Sequence, residues 1–360
     1  MVRRSGKEAL MPVTIKDVAT LAGVSTSTVS RTCSNHPSIS RQTKEKVRRA
    51  MAELGYEPNF QASNLASQNS RTIGIILPVS EKEAYQNAFY LEIIRGISQF
   101  CNRQQYINTI ITGQNEEEIL QAIRTMSKSG QAEGFIVLYS KEPDEIINYL
   151  YEEGLLYVLI GKACQHVNET IYIDNDNVLA AKEATEYLIQ LGHTKIAYVS
   201  NVDNLTFASD RKAGYLSALT QYHLPFLPEY CIEIPYVLEE KENPVQKLLS
   251  SKNRPTAIVV SDDILAFSLE KVALELGLKI PGDLSIISFN NSLFSKLTRP
   301  QLTSIDINSY QLGMEAASQI INHIENPNLL ATKIIVPYFM VERQSCCRNE
   351  NNPFKTQSNS

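Results

Sequence analysis

Apolar residues at helical spacing dominate the start of the chain, and strand-like apolar runs dominate the rest. Ile15, Val18, Ala19 and Ala22 fall at i, i+3, i+4 and i+7, so one helical face is apolar. Thr14 and Asp17 make a capping-box pattern at its start. Gly23 can adopt positive φ and turn the chain tightly, and Ser25 can cap a second short helix. Ser40 opens a third helix with an apolar stripe of Val47, Ala50, Met51 and Leu54, which Gly55 and Pro58 stop. Residues 13–59 therefore predict a compact three-helix unit.

Residues 60–71, FQASNLASQNSR, are polar apart from Leu65 and read as a linker. From residue 72 the pattern changes to short β-branched runs: TIGIIL (72–77), INTII (107–111), GFIVL (134–138), LYVLI (156–160), KIAYVS (195–200), TAIVVS (256–261) and LSIIS (284–288). Helical stretches, the first at 88–104, lie between most of them. Buried strands alternating with helices predict an α/β class with doubly wound parallel sheets, and the length suits two lobes. The tail 344–360 is polar and reads as disordered.

Charge sharpens the division. Residues 1–71 carry 11 Lys and Arg against 5 Asp and Glu, while the remainder carries 23 against 34. A basic head on an acidic body fits a head that meets a polyanion and a body that does not. The six cysteines show no CxxC spacing, so neither a zinc site nor a disulfide framework is expected, and scattered thiols suit a reducing, cytoplasmic setting. The first ten residues lack the apolar core of a secretory signal, and Met11 offers a second start. No apolar run reaches the ~20 residues that span a bilayer. GxxxxGK[ST], HExxH and GxSxG are absent and the five histidines are dispersed, which argues against an enzyme and its cofactors. His193, at a helix-to-strand turn, reads as structural.

Residues 13–31, VTIKDVATLAGVSTSTVSR, are two short helices joined at Gly23, the unit that lays a recognition helix in the DNA major groove. This stretch resembles the LacI/GalR family of bacterial transcriptional regulators, together with Ser40, Thr43, AMAELGYEPN (50–59) and ASNLA (62–66). The likeness continues through RGIS (95–98), IDNDN (173–177), LGHTKIAYVS (191–200), DRKAGY (210–215), SDD (261–263) and LSIISFNNS (284–292). Within the family, AYQNAFYLEIIRGIS (84–98), LIGK (159–162) and DNDN (174–177) resemble the maltose-operon regulators of Gram-positive bacteria.

The resemblance implies an N-terminal extension (1–12), a helix-turn-helix domain (13–59), a hinge (60–71) and a two-lobed sensor resembling periplasmic sugar-binding proteins (72–343). Lobe 1 would take about 72–173 and 305–333, and lobe 2 about 174–304 and 334–343. It implies that Thr26, Ser27 and Arg31 read bases, and a bidentate Arg31 contact to guanine agrees with the chemistry. Thr14, Ser25, Ser30 and Thr43 would grip phosphates, Lys16 could contact a phosphate or a base edge, and Thr28 is among the exposed polar residues of the second helix. The Thr32, Cys33, Ser34 run departs from the family, which usually has two apolar residues and then Asn; here Asn35 comes one place later. By resemblance, the hinge coils on operator DNA and paired Leu65 side chains wedge into a minor-groove step, with Ala62 small enough to admit the backbone. Two heads on a near-palindrome require a homodimer.

For the sensor, the resemblance places Tyr85, Phe89 and Tyr90 from the first loop, Arg211, Asp262 and Asn290 from lobe 2, and Lys162 and Asp174 near the crossover around a sugar effector. Aromatic faces and planar polar groups suit a neutral polyol. A related input, a phosphorylated carrier protein acting in global carbon control, is the alternative. A transport protein would need a signal peptide and no basic head.

Overall fold

The computed structural model describes residues 13–33, 36, 38–56, 70–78, 87–201, 204–234 and 244–350. The chain divides into two compact units, 1–70 and 71–360. The expected extension, the hinge with Ala62 and Leu65, and Tyr85, Ser34 and Asn35 lie outside the described residues.

In the first unit, α1 (Ile15–Ala22), α2 (Thr26–Cys33) and α3 (Arg41–Leu54) enclose Val18, Ala19, Ala22, Val29, Val47 and Ala50. Local chemistry fixes the helix ends. The Asp17 carboxylate accepts from the Thr14 N–H at 2.8 Å and from its hydroxyl at 2.7 Å. These bonds hold the Asp17 pKa below its ordinary value, the hydroxyl bond contributing most. Gly23 at φ 59 and Gly55 at φ 62 end α1 and α3 in the left-handed region. Thr32 is buried at an apolar position, and its hydroxyl donates to the Thr28 carbonyl at 2.8 Å. Its polar atom is thus satisfied within α2.

The second unit contains two six-stranded sheets. Sheet 1 has β1 (Thr72–Ile76), β2 (Ile107–Ile111), β3 (Gly134–Val137), β4 (Tyr157–Ile160), β5 (Ile171–Asp174) and β11 (Lys333–Ile335) in the order β11-β5-β4-β3-β1-β2, all parallel. Sheet 2 has β6 (Ile196–Asn201), β7 (Cys231–Ile234), β8 (Ala257–Val260), β9 (Ser285–Phe289), β10 (Thr303–Asp306) and β12 (Phe339–Val341), ordered β12-β10-β9-β8-β6-β7 with only β12 antiparallel. α4 (Ala88–Arg103) and α12 (Ser309–Glu325) cover one face of sheet 1; α5 (Glu116–Lys128) and α6 (Glu145–Glu152) cover the other. Sheet 2 lies between α7 (Asn177–Gln190) with α8 (Thr206–Gln221), and α9 (Pro244–Leu249) with α10 (Asp263–Glu275). α11 (Leu293–Leu297) follows β9. Burial on both faces explains why most of these strands read as continuous apolar runs. INTII is different: as edge strand β2 it leaves Ile107 and Ile110 exposed.

In each lobe a glycine brings two helices into backbone contact. A Cβ on Gly96 would lie 2.2 Å from the Tyr310 carbonyl, and one on Gly313 would lie 2.1 Å from that of Ile93. In lobe 2 a Cβ on Gly214 would lie 2.1 Å from the Val178 carbonyl. The RGIS and DRKAGY motifs thus carry the closest helix packing of the two lobes.

Three segments cross between the lobes, after β5, β10 and β11. Ile305 and Asp306 still belong to sheet 2, and Ile334 and Ile335 to sheet 1, so these lobe boundaries fall about two residues later than expected. Asn175 ties all three crossings together: its amide donates to the carbonyls of Ile307 (3.0 Å) and Val336 (2.8 Å). Asn308 adds a bond to the Pro337 carbonyl at 2.6 Å.

The expected disordered tail needs correction at its start. Residues 344–350 are ordered against sheet 2. Ser345 Oγ accepts from the Thr303 N–H at 2.8 Å and donates to the Ile286 carbonyl at 2.5 Å, and the Cys347 N–H donates to Ser285 Oγ at 3.1 Å. His193 is buried between Thr256 Oγ1 (2.9 Å) and the Cys347 carbonyl (3.1 Å), and burial lowers its pKa. A polar segment is held here because its partners are the first residues of β9 and β10, remote in sequence.

Candidate functional site

The first unit presents α2 as an exposed polar face. Val29 and Thr32 turn into the core, leaving Thr26, Ser27, Ser30 and Arg31 exposed and Thr28 half-buried. Ser25 holds the start of the helix by accepting from the Thr28 N–H at 3.2 Å, and its hydroxyl lies 2.9 Å from Thr28 Oγ1. Ser40 does the same for α3, accepting from the Thr43 N–H at 3.2 Å. Lys16 is exposed on α1. A short helix with its first turn capped and its outward residues small, hydroxylic or cationic is sterically suited to enter a major groove.

The second unit has a cleft between its lobes that opens to solvent. Phe89, Tyr90, Asp174, Arg211, Asp262 and Asn290 all line it. Lys162 does not; its neighbours Ile160 and Gly161 do, while its ammonium pairs with Asp210 at 3.2 Å, which raises its pKa.

Arg211 is the best-held group in the cleft. Its Nε donates to Asn177 Oδ1 at 2.9 Å and Nη1 to the Ser261 carbonyl at 2.5 Å. Its guanidinium lies 4.1 Å from the Phe289 ring centre and 4.8 Å from that of Phe207. Asn177 passes the contact on, donating to Asp174 Oδ1 at 3.0 Å, which also accepts from the Asn175 N–H at 2.8 Å. Burial raises the Asp174 pKa to about 7 despite these bonds, and the neighbouring Asp210 adds to the rise while Arg211 and Lys162 oppose it.

Two expected contacts serve the scaffold as well. Asp262 Oδ1 caps α10, accepting from the N–H groups of Ile264 and Leu265 at 2.9 Å. Asp262 thus holds the start of α10 as well as lining the cleft. Tyr90 packs in the core of lobe 1, with Phe89 edge-on at 5.1 Å; Phe89 is the more accessible of the two. Next in sequence, Asp263 accepts from Ser288, Ser304 and the Ser292 N–H, which steadies the loop carrying Asn290. Asn290 itself stands at φ 93, its N–H bonded to the Ile305 carbonyl at 2.8 Å. A left-handed residue at a strand end beside a cleft is a strained position that the neighbouring bonds hold in place.

Sequence reasoning missed Asn177, Asn175, Tyr139, Ser140, Leu205 and Phe207 in the lining. A signal existed for some. Tyr139 and Ser140 follow the carboxyl end of β3, where open α/β sheets place ligands. Phe207 precedes Arg211 by one helical turn.

A small helical head with an exposed polar helix and a two-lobed body with an interlobe cleft define a class of DNA-binding protein. The model of bacterial regulatory proteins of the lacI family matches residues 14–59, and that of the periplasmic binding protein-like domain matches residues 185–346. The HTH-type transcriptional regulator MalR of Staphylococcus xylosus is 38% identical over 336 residues, 92% of this chain and 98% of its own. MalR of Streptococcus pneumoniae serotype 4 is 36% identical over 338 residues, 92% of this chain and 100% of its own. Among solved structures, a transcriptional regulator LacI from Bacillus cereus subsp. cytotoxis is 39% identical with a TM-score of 0.74, covering 77% of this chain and 99% of that one. The chain belongs to the LacI family of bacterial regulatory proteins, and it is a DNA-binding transcriptional regulator rather than an enzyme. Among the described residues no helix is long and apolar enough to cross a membrane.

Proposed function

We propose that this regulator is a cytoplasmic repressor of carbohydrate-utilisation genes, released from its operator by a neutral sugar bound between the lobes. The observation that carries the reading is the cleft around Arg211: one buried cation facing Asp174 and Asp262, with amides and aromatics beside it. That set has no excess positive charge for a phosphate or sugar acid, and it suits hydroxyls and C–H faces. The resemblance to maltose-operon regulators, one of which is a solved structure 28% identical to this chain, makes maltose or a maltodextrin the first ligand to try.

On the DNA side, Arg31, Thr26 and Ser27 read bases while Thr14, Ser25, Ser30 and Thr43 fix the register on phosphates, with Lys16 and Thr28 in support. Two heads act together in a homodimer. In support, α10 and α11 expose Phe267, Leu274, Leu293 and Leu297, an apolar surface of the kind a subunit interface covers. Ligand couples to DNA by favouring one lobe arrangement, and a coupling of ~1–3 kcal/mol gives roughly 5- to 150-fold control.

Isothermal titration of the full chain with maltose and maltotriose, and with glucose 6-phosphate as the anionic control, tests the ligand class. The expected result is saturable binding of a neutral sugar that is lost in Arg211→Ala. Binding of the phosphate alone would overturn the neutral-polyol reading. Silence with all three, together with capture of a phosphorylated carrier protein, would transfer the input to that protein.

A further inference from the structure

We infer that residues 205–207 form a latch that holds the two lobes together over the cleft. The inference rests on the cleft being the effector site.

Leu205 and Lys141 form an isolated antiparallel bridge across the lobes. Beside it the Thr206 N–H donates to the Ser140 carbonyl at 3.0 Å. Thr206 opens α8, where an N–H has no partner inside its own helix, so this bond exists only because lobe 1 supplies the acceptor. The Leu205 side chain is buried in the cluster of Tyr139, Ile146, Leu159 and Ala163, all of lobe 1. A residue of one lobe thus completes the core of the other.

Both sides of the bridge are anchored. In lobe 1, Ser140 Oγ donates to the Lys162 carbonyl at 2.5 Å, and Lys141 pairs with Glu116. In lobe 2, Tyr198 holds the start of α8 by donating to the Ala208 carbonyl at 2.8 Å. Asn204, at φ 43, turns the chain into the latch, a conformation asparagine tolerates better than most residues. The Lys162–Asp210 pair adds a second, more exposed link between the lobes.

The latch also reaches the ligand groups. Phe207 follows Thr206 directly, lines the cleft and stacks on Arg211. Phe207 also packs against the same lobe 1 cluster, so opening the lobes at Leu205 takes that support from the ring on Arg211.

Residue-resolved hydrogen exchange on the full-length, ligand-free protein tests this. The Thr206 amide is expected to exchange at least ~10-fold more slowly than an unbonded amide at a helix start. Leu205→Ala should speed it ~10-fold or more while amides of Ala197 and Val199 in β6 stay protected. Asp210→Asn, which leaves the buried contacts intact, should speed it by a smaller factor and serves if Leu205→Ala does not fold. Unprotected Thr206 in the unmodified protein would overturn the latch, as would protection indifferent to both variants. Maltose added afterwards separates the two proposals. Exchange as expected with no sugar effect keeps the latch and sinks the maltose reading.

Discussion

The α2 face and the interlobe cleft present similar chemistry in opposite settings. On α2 Thr26, Ser27 and Ser30 are exposed, and Ser25 and Thr28 bond each other within one turn. In the cleft the polar groups are mostly buried, and several bond partners tens of residues away: Arg211 to Asn177 and Ser261, Asn175 to Ile307 and Val336. The lesson is that recognition on the head costs the fold almost nothing, while in the body the same side chains hold the scaffold together. Substitutions at outward head residues that hold no helix cap should change affinity with little effect on stability. Substitutions in the cleft should change both.

The broadest effect is expected from Arg211→Ala, which should lose stability and ligand response together. It strips the donor from Asn177 Oδ1 and the Ser261 carbonyl, and should cost about 3 kcal/mol of stability along with the sugar response. Urea denaturation and ligand titration of the same preparation check it. A variant that keeps full stability while losing the ligand would break the claim that cleft groups serve both ends.

Asp174 sharpens the comparison through pH. Its carboxyl titrates near pH 7 in the fold against an ordinary value of 3.8. The fold therefore disfavours the charged form. The penalty is absent below about pH 4, grows as pH rises, and is complete above about pH 7. Asp174→Asn should be more stable than the parent at pH 8, by up to about 4 kcal/mol, and gain nothing at pH 4. Melting temperatures at the two pH values decide it.

On the head, Arg31→Ala should lose about 1–3 kcal/mol of operator affinity with little change in melting temperature. Loss of stability equal to the loss of binding would erase the contrast. The smallest effect is expected from Ser25→Ala, about 1 kcal/mol from the lost cap, read by helical circular dichroism on heating.

How far each region was legible follows from the same difference. Thr14 with Asp17, Gly23, Ser25 and Ser40 act within one helical turn, so spacing alone exposed them. The long β-branched runs gave most of the strands, because strands buried on both faces need no alternation. Short, mixed segments such as CIEI (231–234) and TSID (303–306) were not legible, since their pairing with β6 and β9 is what makes them strands. In the cleft, resemblance brought forward Arg211, Asp174 and Asn290. It could not show that Asn177 links the first two, nor that Leu205 enters the other lobe, because those facts depend on how the lobes meet. The polar start of the tail misled for the same reason: its bonds go to Ile286 and Thr303, some sixty and forty residues back.

The central claim is that a ligand in the cleft governs the head on DNA. Fluorescence anisotropy on a near-palindromic operator with a central CG step, at fixed salt, tests it in the parent, Arg31→Ala and Arg211→Ala, each with and without maltose and maltotriose. The account predicts tight binding by the parent that sugar weakens roughly 5- to 150-fold. It predicts weak binding by Arg31→Ala, and tight binding deaf to sugar by Arg211→Ala. Parent binding that no sugar alters, or a sugar response that survives Arg211→Ala, would contradict it.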